Sequence, residues 1–297
     1  MKADAKTPSS RRFKIVLAYD GTAYSGYQLQ ENGISVQQRV EEALEYLNCA
    51  PTRVFGCSRT DAGVHARGFV AHFDLQKPIP PKSLVRAMNA RLPPDIRVMR
   101  AAYARAGFDA RRDARGKEYR YFVYNADIQP PHLVPFWAFQ HRPLDIAAMQ
   151  DAAARFVGRH DFVSFAANPR REIGSTVRNI FEFKVKKTGP RVVFSVTGDG
   201  FLYKQVRSMA GFLLRVGIGD EKPSAVTEIL EAAAPRTARV PTAPSRGLFL
   251  WKVFYGGKTL IVQDSDCKTR IAQGSDENAA CGGRQCDQSL AWAGEEP

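Results

Sequence analysis

The chain has 297 residues, 44% hydrophobic and 25% charged, with a formal net charge of +13. That composition excludes a fibrous or low-complexity chain and allows one large or two medium folded domains. No apolar run approaches the ~18 residues that span a bilayer, and residues 1–12 lack the apolar core of a secretory signal, so no membrane and a cytoplasmic location are expected.

The charge is unevenly spread. From Lys258 onward there are four basic and seven acidic residues, so residues 258–297 carry −3 and residues 1–257 carry +16. A basic body suggests a polyanionic partner. Nucleic acid fits better than membrane, because no strongly amphipathic basic helix appears. Five cysteines, at positions 49, 57, 267, 281 and 286, give no disulfide framework.

In chain order, residues 1–12 read as a disordered leader. Residues 13–19 are mostly apolar, β-branched or aromatic and predict a strand, which Asp20-Gly21 ends. A loop with Tyr24 and Tyr27 follows. Ser35, with Gln38 three residues on, is a capping-box pattern. After it Val36, Val40, Ala43, Leu44 and Leu47 recur at helical spacing. Residues 53–55 and 69–75 read as strands around a glycine-rich stretch, 56–68. Pro81 opens a second helix holding Leu84, Val85 and Met88, Pro93-Pro94 stops it, and residues 96–103 predict a strand. The order is βαββαβ.

The second half repeats that order. A strand over 117–124 is followed by a loop with Pro130, Pro131, Pro135 and Pro143. Asp145 can cap a helix with Ile146, Met149, Ala153 and Phe156 on one face. Residues 177–186 and 191–196 read as a hairpin around Thr188-Gly189-Pro190. Helices are expected over 202–216 and 223–233, and a last strand over 248–255. The expected fold is therefore α+β. Two ferredoxin-like units, residues 13–107 and 108–257, share one mainly antiparallel sheet with helices on one face. Residues 258–297 read as a disordered acidic tail. Its Cys281 and Cys286 fit free thiols better than metal ligands, since no histidine lies nearby and four separated ligands are lacking.

Three segments could carry chemistry. In 56–68, three glycines suit a tight loop that lets backbone approach a partner closely. Asp61 lies there between Arg59 and Arg67. A lone carboxylate among cations is expected to stay ionised, which suits a nucleophile or an ion-pair partner and suits a general acid poorly. The spacing alone equally allows a solvated turn. In 108–122, arginines and Lys117 run into a strand of aromatics. Tyr119 and Tyr121 face one side, Arg120 and Phe122 the other. A basic approach ending in tyrosines suits phosphate contact followed by base stacking, with Phe122 read as core. In 198–211, Arg207 sits at the edge of the apolar stripe Val206, Met209, Ala210 and Leu213. A partly buried arginine needs an anionic partner or a route to water, and Asp61 is one candidate. There is no metal-ligand spacing, no Ser-His-Asp or Cys-His arrangement and no phosphate-binding glycine loop. Any chemistry falls to an Asp, an Arg and a Tyr, with no metal and no cofactor expected.

Five blocks together resemble the tRNA pseudouridine synthase A family. They are Tyr19-Asp20-Gly21-Thr22, the loop around Arg59-Thr60-Asp61-Ala62-Gly63-Val64-His65, Lys117-Glu118-Tyr119-Arg120-Tyr121, residues 198–207, and Ala243-Pro244-Ser245-Arg246-Gly247-Leu248. The resemblance spans about residues 13–255. It implies isomerisation of uridine to pseudouridine at positions 38, 39 and 40 of the tRNA anticodon stem-loop, by a homodimer with no cofactor or metal. It also implies residue roles: Asp61 as nucleophile, Arg207 paired with it, Tyr119 packed against the target uracil, and Arg59 helping to hold the base out of the helix. Tyr27 departs from the family, which more often has tryptophan there, and the acidic tail has no counterpart. Two other classes fit less well. A tRNA-binding or chaperone module needs no such residues together. A glycosidase needs a second catalytic carboxylate, and a metal nuclease needs clustered acids.

Overall fold

The computed structural model describes residues 10–167 and 174–256. Residues 1–9 of the expected leader, the expected tail 258–297 and its Cys281 and Cys286 lie outside the described residues. The first half runs β1 (Arg11–Tyr19), α1 (Val36–Asn48), β2 (Phe55–Gly56), β3 (His65–Leu75), α2 (Pro81–Asn89) and β4 (Ile96–Tyr103). The second runs β5 (Ala114–Asn125), β6 (Ala138–Gln140), α3 (Ile146–Ala154), β7 (Gly158–Asp161), β8 (Val177–Thr188), β9 (Arg191–Gly198), α4 (Gln205–Gly217), α5 (Ala225–Ala232) and β10 (Leu248–Tyr255).

Local chemistry sets several of these ends. Ser35 accepts a hydrogen bond from the Gln38 amide at 3.2 Å and starts α1, and Asp145 does the same for α3 through the Ala148 amide at 3.0 Å. Strand β1 begins two residues earlier than the apolar pattern suggests. Arg12 there makes a fork-like pair with Asp74 at 2.8 and 2.7 Å and donates to the Phe108 carbonyl, so two polar residues join the ladder.

All ten strands form one sheet in the order β4-β1-β3-β10-β5-β9-β8-β7, with β2 also on β3 and β6 on β5. The runs β4-β1-β3-β2 and β10-β5-β9-β8 are the same ferredoxin-like order, once in each half. Strand β10 joins them. It pairs antiparallel with β5, Leu250 opposite Tyr119, and parallel with β3, Leu250 opposite Ala66. The other pairings are antiparallel except β5 with β6. One edge of β3 thus serves two partners: β10 takes His65 and Ala66, and β2 is left with Ala71 and His72. That sharing keeps β2 to two residues.

The helices cover one face. Ile15 and Leu17 of β1, Tyr119 and Tyr121 of β5, Val40 of α1, Leu84 of α2, Met149 of α3 and Leu213 of α4 belong to one buried cluster. The opposite face carries a smaller aromatic cluster of Phe122, Trp137, Phe249 and Trp251. The strand alternation expected for residues 119–122 therefore holds, with Phe122 fully buried.

Candidate active site

Between β2 and β3 the chain makes a loop over residues 57–64, shorter than the 56–68 of the sequence pattern because His65, Ala66, Arg67 and Gly68 belong to β3. The loop is fixed at several points. The Cys57 amide donates to the Val70 carbonyl at 2.9 Å, and the buried Thr60 hydroxyl bonds the Tyr19 phenol at 2.8 Å. From the segment after β1, the Tyr27 amide donates to the Thr60 carbonyl at 3.1 Å. The Gly63 amide donates to the Tyr24 carbonyl at 3.3 Å. Gly26, with φ +101°, lets the two segments meet: a Cβ there would lie 2.6 Å from the Thr60 oxygen.

Asp61 projects from this loop. Its Oδ2 accepts from Arg207 Nη1 at 2.9 Å, and both side chains are largely covered, at 18% and 15% exposure. No described residue donates to Oδ1, so one carboxylate oxygen is held and the other is free. The guanidinium is itself fixed. Arg207 Nε donates to the Ala243 carbonyl at 2.9 Å, and the Ala243 amide donates back to the Arg207 carbonyl at 3.0 Å. A covered carboxylate loses water contacts that a paired cation can replace. Here that cation comes from α4, 146 residues away in sequence.

Arg59 and Arg67, which flank Asp61 in sequence, make no ion pair with it among the described residues. Arg67 stacks over Trp251 at 4.3 Å, beside Arg120 at 4.2 Å, in the aromatic layer behind the sheet. The cause is a β-bulge. Leu17 opposes Phe69, but Tyr19, two residues on, opposes Ala66, three residues back. The extra residue turns the start of β3 over, and Gly68 lets the Trp251 carbonyl approach to 2.5 Å of where a Cβ would stand. Arg59 is exposed and has no ion pair among the described residues.

Tyr119 stands beside the loop because β10 sets β5 next to the start of β3. It is 6% exposed, its phenol bonds the Ser58 hydroxyl at 3.0 Å, and its ring meets Phe201 edge-on at 5.2 Å. Burial raises its pKa well above that of a free tyrosine, so the ring stays neutral and offers an aromatic surface and a hydroxyl rather than a phenolate. Ser58, Phe201 and Ala243 complete the site; each lies in a segment singled out in the sequence, but none had a role of its own there. Their residue types are common, and only the pairing order brings them together.

His65 and Cys57 support the site. His65 is fully buried, accepts from the Gly21 amide at 3.0 Å through Nδ1 and faces the Arg246 carbonyl at 3.1 Å through Nε2. It packs between Phe249 and Phe136. Burial lowers its pKa. Cys57 is buried and its thiol is pushed up to about 11, so it stays a neutral thiol. Among the described residues, no group of three His, Cys, Asp or Glu side chains could hold a metal ion, and no described helix is long and apolar enough to cross a membrane.

The arrangement can attack an electrophilic carbon with an ionised, oriented carboxylate beside a flat aromatic wall. A family profile described as tRNA pseudouridine synthase matches residues 15–111 and 152–256. Among curated proteins, the tRNA pseudouridine synthases A of Exiguobacterium sibiricum and Bacillus subtilis are each 43% identical over 249 residues. Both matches cover 82% of this chain and 97% or 99% of the relative. That of Geotalea uraniireducens is 43% identical over 246 residues, covering 82% of this chain and all of the relative.

Proposed function

Because this chain belongs to the tRNA pseudouridine synthase family, we propose that it isomerises uridine to pseudouridine at positions 38, 39 and 40 of the tRNA anticodon stem-loop. The observation that carries this reading is the Asp61–Arg207 pair at 2.9 Å, beside Tyr119. The reaction is an isomerisation. The C1′–N1 bond of uridine breaks, the base turns, and a C1′–C5 bond forms while C5 loses a proton and N1 gains one. Atoms and electrons balance without oxidant or co-substrate.

Each residue then has one task. Asp61, held through Oδ2, attacks the target nucleotide through Oδ1, and the bond it forms is broken again before the isomerisation ends, which returns the free carboxylate. Arg207 holds that carboxylate in place. Tyr119 receives the uracil on its ring. A base stacked in a stem cannot be detached and turned, so the nucleotide must leave the helix. Arg59, exposed beside Asp61, fills the gap that it leaves. The +16 carried by residues 1–257 attracts the RNA backbone. We further propose that two copies hold one tRNA in the cytoplasm.

The test is Asp61→Asn on an unmodified anticodon stem-loop. The change is mass-neutral, so pseudouridine is read by chemical labelling. We expect turnover to vanish while RNA binding stays within a few fold of wild type. Turnover near the wild-type rate in that variant rules out the nucleophile. Unchanged binding by a wild-type protein that makes no pseudouridine favours a tRNA-binding module.

A further inference from the structure

Lys117 lies on β5 two residues before Tyr119, paired across the sheet with Gly198 and Val253. Two residues along a strand is about 7 Å, and side chains at that spacing share a face. Lys117 therefore lines the same wall as Tyr119. It stands near Cys57 where the loop begins, as Tyr119 stands against Ser58.

Its surroundings are unusual for a lysine. The side chain is half-buried, and no described residue gives it a hydrogen bond or an ion pair. Besides burial, Cys57 acts on it in one direction and the guanidinium groups of Arg111 and Arg178 in the other. Arg111 is exposed, and among the described residues Arg178 donates to the Ser175 and Val177 carbonyls, at 3.0 and 2.6 Å. The described carboxylates next to these residues along the chain or the ladder each have a partner. Asp109 accepts from the Arg111 and Arg112 amides, Asp113 pairs with Arg105, Glu118 pairs with Arg120, and Asp199 accepts from the Asn179 amide. Burial lowers the lysine's pKa, and the two arginines add to that. Lys117 is thus a half-buried cation on the wall of Tyr119 with no hydrogen-bond or ion-pair partner among the described residues, which costs free energy until an anion binds.

We propose that Lys117, half-buried on the wall of Tyr119, seats a backbone phosphate of the RNA strand next to the nucleotide that Tyr119 receives. This rests on the reading of the substrate as tRNA. A phosphate there anchors the strand on the wall where the base is presented, so the contact acts in binding rather than in the bond changes.

The probe is an anticodon stem-loop RNA with uridine at position 39. Each phosphate contact contributes roughly 0.7–0.9 to the slope of log binding constant against log salt. Lys117→Met should make that slope shallower by about one contact and raise KM about tenfold, with kcat changed less than threefold. Lys117→Arg should restore the slope. Arg111→Gln, at an exposed position, should also flatten it, which keeps the test open if Lys117→Met folds poorly. A neutral methylphosphonate at the seated linkage should flatten the wild-type slope and leave nothing further for Lys117→Met to remove. Wild-type slope and KM in both Lys117→Met and Arg111→Gln overturn the proposal. So does a Lys117→Met variant that loses kcat with slope and KM intact, which assigns the lysine to proton transfer instead. A wild-type protein that binds this RNA with the expected slopes but makes no pseudouridine leaves the phosphate seat standing and removes the catalytic reading.

Discussion

Arg207 uses two different faces of its guanidinium: Nε on the Ala243 carbonyl and Nη1 on Asp61. A lysine has one nitrogen on a flexible stem and no rigid fork with which to hold both. Arg207→Lys should therefore keep a positive charge near Asp61 but lose its aim. With Asp61 as the proposed nucleophile, a misplacement of about 1 Å costs on the order of 10²-fold in rate, so kcat should fall by about that factor while KM for the RNA moves less than threefold. A wild-type kcat in this variant shows that charge alone suffices. The sequence put Arg207 at the edge of an apolar stripe and named Asp61 as a possible partner, because a partly buried cation is legible from helical spacing. It offered the loop arginines for the same task. Nothing in the string announces the bulge that turns Arg67 to the other side of the sheet, since a bulge shows only as register between two strands.

Elements were legible where their period was long. The five helices and the longer strands of the two βαββαβ units lie where the apolar pattern puts them, and β10 spans the expected 248–255, but β2 is Phe55–Gly56 where the pattern expects 53–55 and β3 starts at His65 rather than at residue 69. The three-residue β6 and four-residue β7 are too short to show alternation and exist only because β5 and β8 offer edges. Helix α4 starts at Gln205, three residues later than the apolar pattern suggests. Lys204 takes a left-handed φ of 58°, and the Gln205 side chain accepts from the Leu202 amide at 2.8 Å. The loop that presents Asp61 depends equally on a neighbouring segment. At Gly26 an alanine meets both a disfavoured φ of +101° and the Thr60 oxygen. Strain of this kind costs about 1–3 kcal/mol. Gly26→Ala should lower unfolding free energy by about that amount in urea titrations and displace Thr60 and Asp61, with a loss of turnover beyond the loss of folded protein. Full turnover per folded molecule means that the loop does not rely on this contact.

At the scale of the whole molecule, two buried histidines lock the chain where its parts meet. His65 ties the Gly21 amide after β1 to the Arg246 carbonyl before β10, and His72 accepts from the Ala110 amide between β4 and β5 through Nδ1 at 3.0 Å. Both accept through a ring nitrogen that must be unprotonated. Burial lowers the pKa of each, against the opposing pull of Asp20 on His65 and of Asp109, Asp74 and Asp113 on His72. In the unfolded chain a histidine titrates near 6.5. Below that value the unfolded state takes up protons that the folded state refuses, so stability falls as pH falls. The contribution is complete above about pH 7 and is lost progressively on acidification through the depressed folded-state pKa. The lowered carboxyl pKa values of Asp74 and Glu221 act in the same direction, but only below the ordinary carboxylate range. The melting temperature should therefore drop between pH 7 and pH 5, before those carboxylates titrate. Replacing His65 and His72 together by Gln, which does not titrate, should lower the melting temperature at pH 7 and flatten its slope between pH 7 and 5. An unflattened slope in a folded double variant places the acid sensitivity elsewhere. Because His65 fastens the seam that sets Tyr119 beside Asp61, turnover in the wild-type protein should decline over the same interval, and earlier than global unfolding.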